Sequence, residues 1–414
     1  VIPVIGPVIG NAAILVGLSL GALDLRAAVG GRAELAVGVA PPAPSLPEEP
    51  ASQLVLEPFA GGFVGTRRVF GSLVYQPRFL LRQPQLTDGH PVLILHRGTG
   101  ALGLELSRRT RADAQASVFY GDLDYASAGL ALGDTSTSRS RRAVVPILGH
   151  SESVRLTHLL SRRYRMWWSG ERTEQSALEE VEPRPFADTT EQRLTFGQGY
   201  QLTRIDALTL PVSVGRAEFS PGIDTDFASA ELGWERRLSE ASSFGLALGG
   251  TYARPTEDGP DGSRGDELRP SGSATLRGPL RILPGKRVTG SIGANVQGTP
   301  DPLLGTFRTA AGASASLSVV DGAWTHYARA DASTSVNEEP IDPRLPESRG
   351  SFGIGSVRRL SRMVSLELGV RSTLWGTHWS VAPFETFDRE VWAFGALSAI
   401  IPVGSGDPDW VPGP

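Results

Sequence analysis

From Val288 to Gln297 the chain places Val288, Gly290, Ile292, Ala294 and Val296 at even positions and Thr289, Ser291, Gly293, Asn295 and Gln297 at odd ones. Side chains alternate across a strand, so one face of this stretch is apolar and the other polar. Its ten residues suit a tilted strand crossing a bilayer. The same alternation returns down most of the chain, with short turns and long loops in regular succession. Soluble sandwiches, solenoids and propellers also alternate, but they seldom keep strands of this length with such connections. The expected fold is all-β: a transmembrane antiparallel up-and-down β-barrel.

Composition narrows the function classes. The 414 residues carry a net charge of −4, too weak to argue for nucleic acid. Mean hydropathy near zero excludes a polytopic helical membrane protein. The absence of cysteine removes disulfides, thiolate metal sites and a cysteine nucleophile.

Residues 1–40 read as an apolar N-terminal segment, an export signal or its remnant; a membrane helix is the rival, weakened by prolines and glycines. Residues 41–68 read as a Pro-rich linker or an extra strand at 54–64. The barrel is assigned to 69–402 and a C-terminal tail to 403–414. Strands are expected at 69–82, 93–107, 112–125, 154–160, 163–170, 193–202, 205–219, 227–235, 243–252, 271–280, 288–297, 307–319, 324–336, 352–358, 364–375 and 390–401. That makes about sixteen, an even number as bacterial barrels require. Eighteen is the second choice, since the strand at 54–64 needs an upstream partner to keep the count even. Asp321-Gly322 is a strong turn signal between two of these strands.

The outward faces are read as Phe244/Leu246/Leu248, Val288/Ile292/Val296, Ala315/Leu317/Val319 and Val364/Leu366/Leu368/Val370. Tyr120, Tyr164, Tyr252, Trp234, Trp324 and Trp392 suit interfacial girdles. The lumen-lining candidates are Arg97, Glu105, Asp113, Arg165, Arg193, Glu231, Glu235, Arg277, Arg329, Asp331, Glu367 and Arg371. A dry interior would need each of these charges paired; a water-filled one does not. With this many strands the interior has room for water.

No motif carries catalysis, a cofactor or a metal. Gly98, Gly100 and Gly103 spell G-x-G-x-x-G but sit inside a strand with no helix opening on them. Gly149-His150-Ser151-Glu152-Ser153 lacks the closing glycine of a nucleophile elbow. Asp258, Asp261, Asp266 and Glu267 read as a solvated acidic loop before a cation site. The chain is therefore expected not to be an enzyme and to need no cofactor.

Tyr75-Gln-Pro-Arg-Phe79-Leu-Leu-Arg82, Leu95-His96-Arg97 and Tyr120-Gly-Asp-Leu-Asp-Tyr125 resemble the outer-membrane β-barrel proteins of myxobacteria and their relatives. The resemblance spans about residues 53–402, and no functional residue carries over from it. It implies a bacterial outer-membrane location, lipid and the barrel-assembly machinery as partners, and for some such barrels exopolysaccharide export. Many of them end on a terminal aromatic, whereas this chain runs past Ile401 to Pro414.

The expected function is a porin-like channel or export conduit for hydrophilic solute or polysaccharide. A plugged structural or surface-interaction barrel and an outer-membrane hydrolase at Ser151 are the alternatives. The short turns are basic (Arg108, Arg162, Arg236, Arg358) and several long loops acidic (Glu179, Glu257, Glu338). This asymmetry suggests either anchoring at lipid headgroups or a basic mouth on the periplasmic side.

Overall fold

A computed structural model describes residues 18–20, 23–40, 48–66, 68–83, 91–124, 144–178, 187–256, 266–280, 286–301, 306–335, 348–376 and 388–402. Its elements are β1 (Leu18–Leu20), β2 (Leu23–Ala40), β3 (Glu49–Gly65), β4 (Val69–Tyr75), β5 (Arg78–Gln83), β6 (Val92–Ser107), β7 (Thr110–Asp124), β8 (Val144–Leu159), β9 (Tyr164–Ala177) and β10 (Asp188–Gln201). They continue as β11 (Asp206–Ser220), β12 (Thr225–Arg237), β13 (Ser243–Pro255), β14 (Glu267–Leu280), β15 (Arg287–Asp301), β16 (Thr306–Asp321), β17 (Trp324–Ser335), β18 (Ser348–Arg359), β19 (Val364–Gly376) and β20 (Asp388–Pro402).

Chain neighbours pair antiparallel around the sheet, and β20 returns to β2 from Ala28↔Pro402 to Val39↔Val391. The sheet is thus a closed barrel with no free edge running its length. β4 and β5 fill one position between β3 and β6, broken at Gln76-Pro77. Proline offers no N–H to the ladder, and the Gln76 N–H donates to the Arg97 carbonyl at 2.8 Å across the break. β1 adds a short extra strand against the start of β2.

Among the described residues eighteen strand positions close the barrel, so the preferred count of sixteen is corrected to the second choice. Sixteen positions do follow from Val69. The other two are β2 and β3, which lie within the stretches read as N-terminal segment and linker. Small residues hide the alternation in β2: Ala28, Gly30, Gly31, Ala33 and Gly38 fill much of both faces, leaving Asp24, Arg26, Arg32 and Glu34 to mark the polar one. Residues 1–17, where the export signal was expected, and the tail at 403–414 lie outside the described residues.

Directly opposed residues of a ladder share a face, and the registers carry one outward face around the whole barrel. Leu35, Leu73, Val154, Leu194, Leu232, Leu248, Ile292 and Ile354 lie on it, each more than half exposed. A continuous apolar belt of this kind is stable against lipid, and closure pairs the backbone groups that hydrocarbon cannot. Tyr164, Tyr200, Trp234 and Trp324 ring its turn-side margin; Tyr75, Tyr120 and Tyr252 mark the loop side. The girdle expectation fails at Trp392. It lies on the face of β20 that opposes Arg371, pointing inward and buried.

On the inner surface several of the described rings lie flat on the wall. Phe59, Phe70, Phe119, Trp167 and Phe227 each oppose a glycine of the next strand: Gly30, Gly103, Gly149, Gly197 and Gly215. A Cβ at Gly103 would stand 2.0 Å from the Phe70 ring, and one at Gly197 2.1 Å from Trp167. The glycines let bulky rings lie along the wall instead of across the interior. At the β16–β17 turn Gly322 takes φ +61°, the left-handed geometry the Asp-Gly pair favours.

Candidate functional site

The inner wall is the candidate site. The registers put all twelve charged candidates on the face opposite the apolar belt. Arg97 opposes Phe119, Glu105 opposes Arg111 and Asp113 opposes Arg155. Arg165 opposes Gly199, and Arg193 stands between Glu171 and Gly215. Glu231 faces Gly249, Glu235 faces Gly245 and Arg277 faces Ser291. Arg329 lies between Ser316 and Gly353, and Asp331 between Ser314 and Ser351. Glu367 opposes Ala396 and Arg371 opposes Trp392.

The structure brings two of these together with residues the sequence reading missed. Arg371 meets Glu34 at 2.7 Å, Arg32 meets Glu34 at 2.7 Å and Glu367 at 3.1 Å, and the Tyr327 hydroxyl donates to Glu367. Beside this seam Arg82 pairs with Glu390 at 3.1 Å and lies over the Trp392 ring at 5.0 Å. The Trp392 indole N–H donates to the same carboxylate at 3.1 Å. Arg32 and Glu34 were missed because their strand was read as an apolar leader. The signal was there: two charges two residues apart, on one face, between apolar neighbours.

Burial divides the inner wall into two halves. Toward the short turns Glu105, Arg111, Glu235, Arg237, Arg277 and Arg359 are exposed, and exposure continues to mid-barrel at Asn295, Ser314 and Asp331. Toward the long loops Leu93, Leu95, Val145, Ile147, Phe219 and Phe227 are buried, as are Arg82, Arg349 and Glu390. The first half is exposed to the enclosed space, and the second is packed.

One hairpin accounts for part of that packing. β15 stays paired with β14 only as far as Gly272↔Val296, and β16 with β17 only as far as Ala310↔Ser335. Among the described residues β15 and β16 pair beyond those rungs with each other, up to Asp301↔Thr306, and β15 has left β14, which is itself described on to Glu267. This tip bends into the barrel. Phe307 stacks on the inward Phe227 at 5.1 Å and joins Phe219, Ala217 and Ala253 in one buried cluster. The Arg269 guanidinium lies 5.7 Å from the Phe307 ring, and a Cβ on Gly298 would sit 3.4 Å from Thr251. The side of the hairpin that would have faced lipid therefore packs on the inner wall of β12 to β14. Its other side carries the Asp301–Arg308 pair at 2.6 Å, both side chains under a tenth exposed.

The hydrolase geometry is not assembled at Ser151. Its hydroxyl shares a hydrogen bond of 2.7 Å with Ser117 on the inner face, while His150 points outward to Glu174 at 3.6 Å and His158 outward to Thr110 at 2.9 Å. Gly98, Gly100 and Gly103 lie in mid-strand in β6. Asp258 and Asp261 lie outside the described residues, as do Glu179, Glu257 and Glu338. Of the basic turn residues, Arg236 sits 3.9 Å from Asp206 and Arg358 lies over Trp324 at 5.3 Å, while Arg108 and Arg162 are exposed.

No protein family and no curated protein match the sequence. Among solved structures, OccK11 (OpdR) from Pseudomonas aeruginosa is similar at 14% identity over 95% of this chain and 99% of that one, with a TM-score of 0.43. The siderophore receptor PiuA from Acinetobacter baumannii matches at 11% identity over 93% and 78%, TM-score 0.46. The outer membrane protein opdK from Pseudomonas aeruginosa matches at 11% over 91% and 99%, TM-score 0.45. None of these concerns myxobacterial barrels or polysaccharide export. A large closed barrel with an apolar belt and aromatic girdles is the build of an outer-membrane protein of a Gram-negative bacterium, and the protein resides there.

Proposed function

We propose that the protein is a water-filled conduit for hydrophilic solutes, wide on the turn side and narrowed on the loop side by the inward hairpin. The observation that carries this reading is the exposed inner wall from the turn rim to mid-barrel, with side chains of both charges. Buried unpaired charge is costly, so water along this wall is the simplest way to keep it. On this reading Arg97, Glu105, Asp113, Arg165, Arg193, Glu231, Glu235, Arg277, Arg329, Asp331, Glu367 and Arg371 line the path, and no residue performs catalysis. Short turns face the periplasm in bacterial barrels, which puts the wide mouth there. The barrel-assembly machinery is the expected partner for insertion.

Planar-bilayer recording tests the proposal. Discrete conductance steps from the purified barrel support it; a folded barrel that never conducts removes it. The second reading, a plugged structural barrel, is favoured by the buried loop half, and a silent bilayer would select it. Passage of a polysaccharide is the finer version of the conduit, supported only by the sequence resemblance. Retention of a neutral polymer in vesicles carrying the protein would set it aside.

A further inference from the structure

The bend of the hairpin leaves a notch in the wall. β14 continues past Gly272 to Glu267 bonded to β13, as at Tyr252↔Leu268, while β15 has left its other side. Pro270, which has no N–H to leave unpaired, stands on the freed edge. On the lipid side of the notch lie Pro270, Leu248 and Leu268, the last 78% exposed. Tyr252 beside them marks the level of the loop-side girdle.

Behind the notch stands a set of donors. The Arg269 Nη2 donates to Glu267 at 2.6 Å, but its Nε and Nη1 find no acceptor among the described residues. The hydroxyls of Ser271, the next inward residue of β14, and of Thr309, on the wall-facing side of the hairpin with Phe307, find no partner either. Ser271 is 6% exposed and Thr309 1%. Buried polar groups are nearly always satisfied, and a guanidinium left with free N–H groups asks for an acceptor more strongly than a neutral donor does.

We propose that this notch binds an amphiphile with an anionic head: the carboxylate or phosphate accepts from Arg269, Ser271 and Thr309, and the acyl chain lies outside along Pro270, Leu268 and Leu248. Donors and apolar surface adjoin across one strand edge, at the depth where a lipid's head meets its chain. A small free anion satisfies the donors but gains nothing from the apolar rim. Nothing in this assignment needs an open bore, so it stands or falls apart from the conduit.

The test uses the full chain in phosphatidylcholine vesicles with stearic acid spin-labelled near its head. The expected spectrum shows an immobilised component for the acid that the methyl ester lacks. Arg269→Gln weakens it about tenfold, the loss expected for a charge-assisted hydrogen bond. Ser271→Ala with Thr309→Val, which leaves the Arg269 contacts with Glu267 and Phe307 in place, weakens it in the same sense. Dodecyl phosphate as competitor separates a phosphate-headed lipid from a fatty acid. Equal immobilisation of acid and ester, an unchanged spectrum in both variants, or complete displacement by inorganic phosphate would overturn the proposal. Heat-modified gel migration checks that each variant is folded.

Discussion

Arg371 on β19 meets Glu34 on β2 at 2.7 Å although β20 lies between their strands. Glu34 also takes Arg32, and Arg32 reaches back to Glu367 on β19, so one carboxylate ties the first wall strand to β19 across β20. Removing it leaves two inward guanidinium groups short of a partner. Glu34→Ala is expected to cost about 3 kcal/mol, the low end for breaking a buried pair, because both arginines keep some contact with water. Urea unfolding in detergent reads this directly. Glu105→Ala, at an exposed position, serves as the control and is expected to change stability by about 0.5 kcal/mol or less.

The shared register predicts opposite results on opposite faces. Arginine at Ile292 sits against lipid near mid-bilayer and is expected to cost about 2–4 kcal/mol, while at Leu246 or Leu366, level with the turn-side girdle, the cost is expected to fall to about 1 kcal/mol. Arginine at Ser291, Thr325 or Ser365 faces the interior and is expected to be far milder. Folded yield into vesicles measures both sets. Equal losses would mean the faces are exchanged, as a one-residue slip would do.

Phe307 holds the hairpin to the wall through Phe227 and the Arg269 guanidinium. Phe307→Ala removes that hold without touching the strands below. The expected outcome is a larger and noisier unitary conductance with an unchanged barrel melting profile up to the first transition. A conductance identical to that of the parent protein would show that the hairpin does not set the narrowest passage.

The basic turns give a test of direction. Arg108, Arg162, Arg236 and Arg358 are all exposed, but Arg236 and Arg358 are already engaged by Asp206 and Trp324 and suit anchoring at the interface. Anion preference for entry from the turn side is expected at low ionic strength and should fade in high salt, as exposed charges are screened. Serine at Arg108 and Arg162 should reduce it more than serine at Arg236 and Arg358. Reversal potentials on oriented channels that show cation preference from this side would leave anchoring as the arginines' role.

How far the sequence was legible depended on side-chain contrast. β13, β15 and β19 alternate Leu, Ile or Val with Ser, Thr, Arg or Glu, and their faces could be read at once. β2 sets alanine and glycine on both faces, so its four charges, Asp24, Arg26, Arg32 and Glu34, looked like interruptions of an apolar leader. Trp392 misled for the opposite reason: a large ring at a strand end suits a girdle, yet the ladder turns it inward beside Glu390. The hairpin tip was invisible because its alternation continues unbroken through Thr309 and Phe307. Only the departure from β14, with Phe307 seated on Phe227, reveals that a face meant for lipid packs on the inner wall.

A conduit of this kind requires that water fill the space enclosed by the inward face. The chain has no cysteine, so single cysteines at Ser316 and Ala315 are unique labels on adjacent residues of opposite faces. The deciding measurement is single-channel current before and after a charged, membrane-impermeant thiol reagent is added from the turn side. The conduit is expected to give discrete steps that fall on modification at Ser316 and are untouched at Ala315. A barrel that is folded yet passes no current, or one in which both positions respond alike, would contradict it.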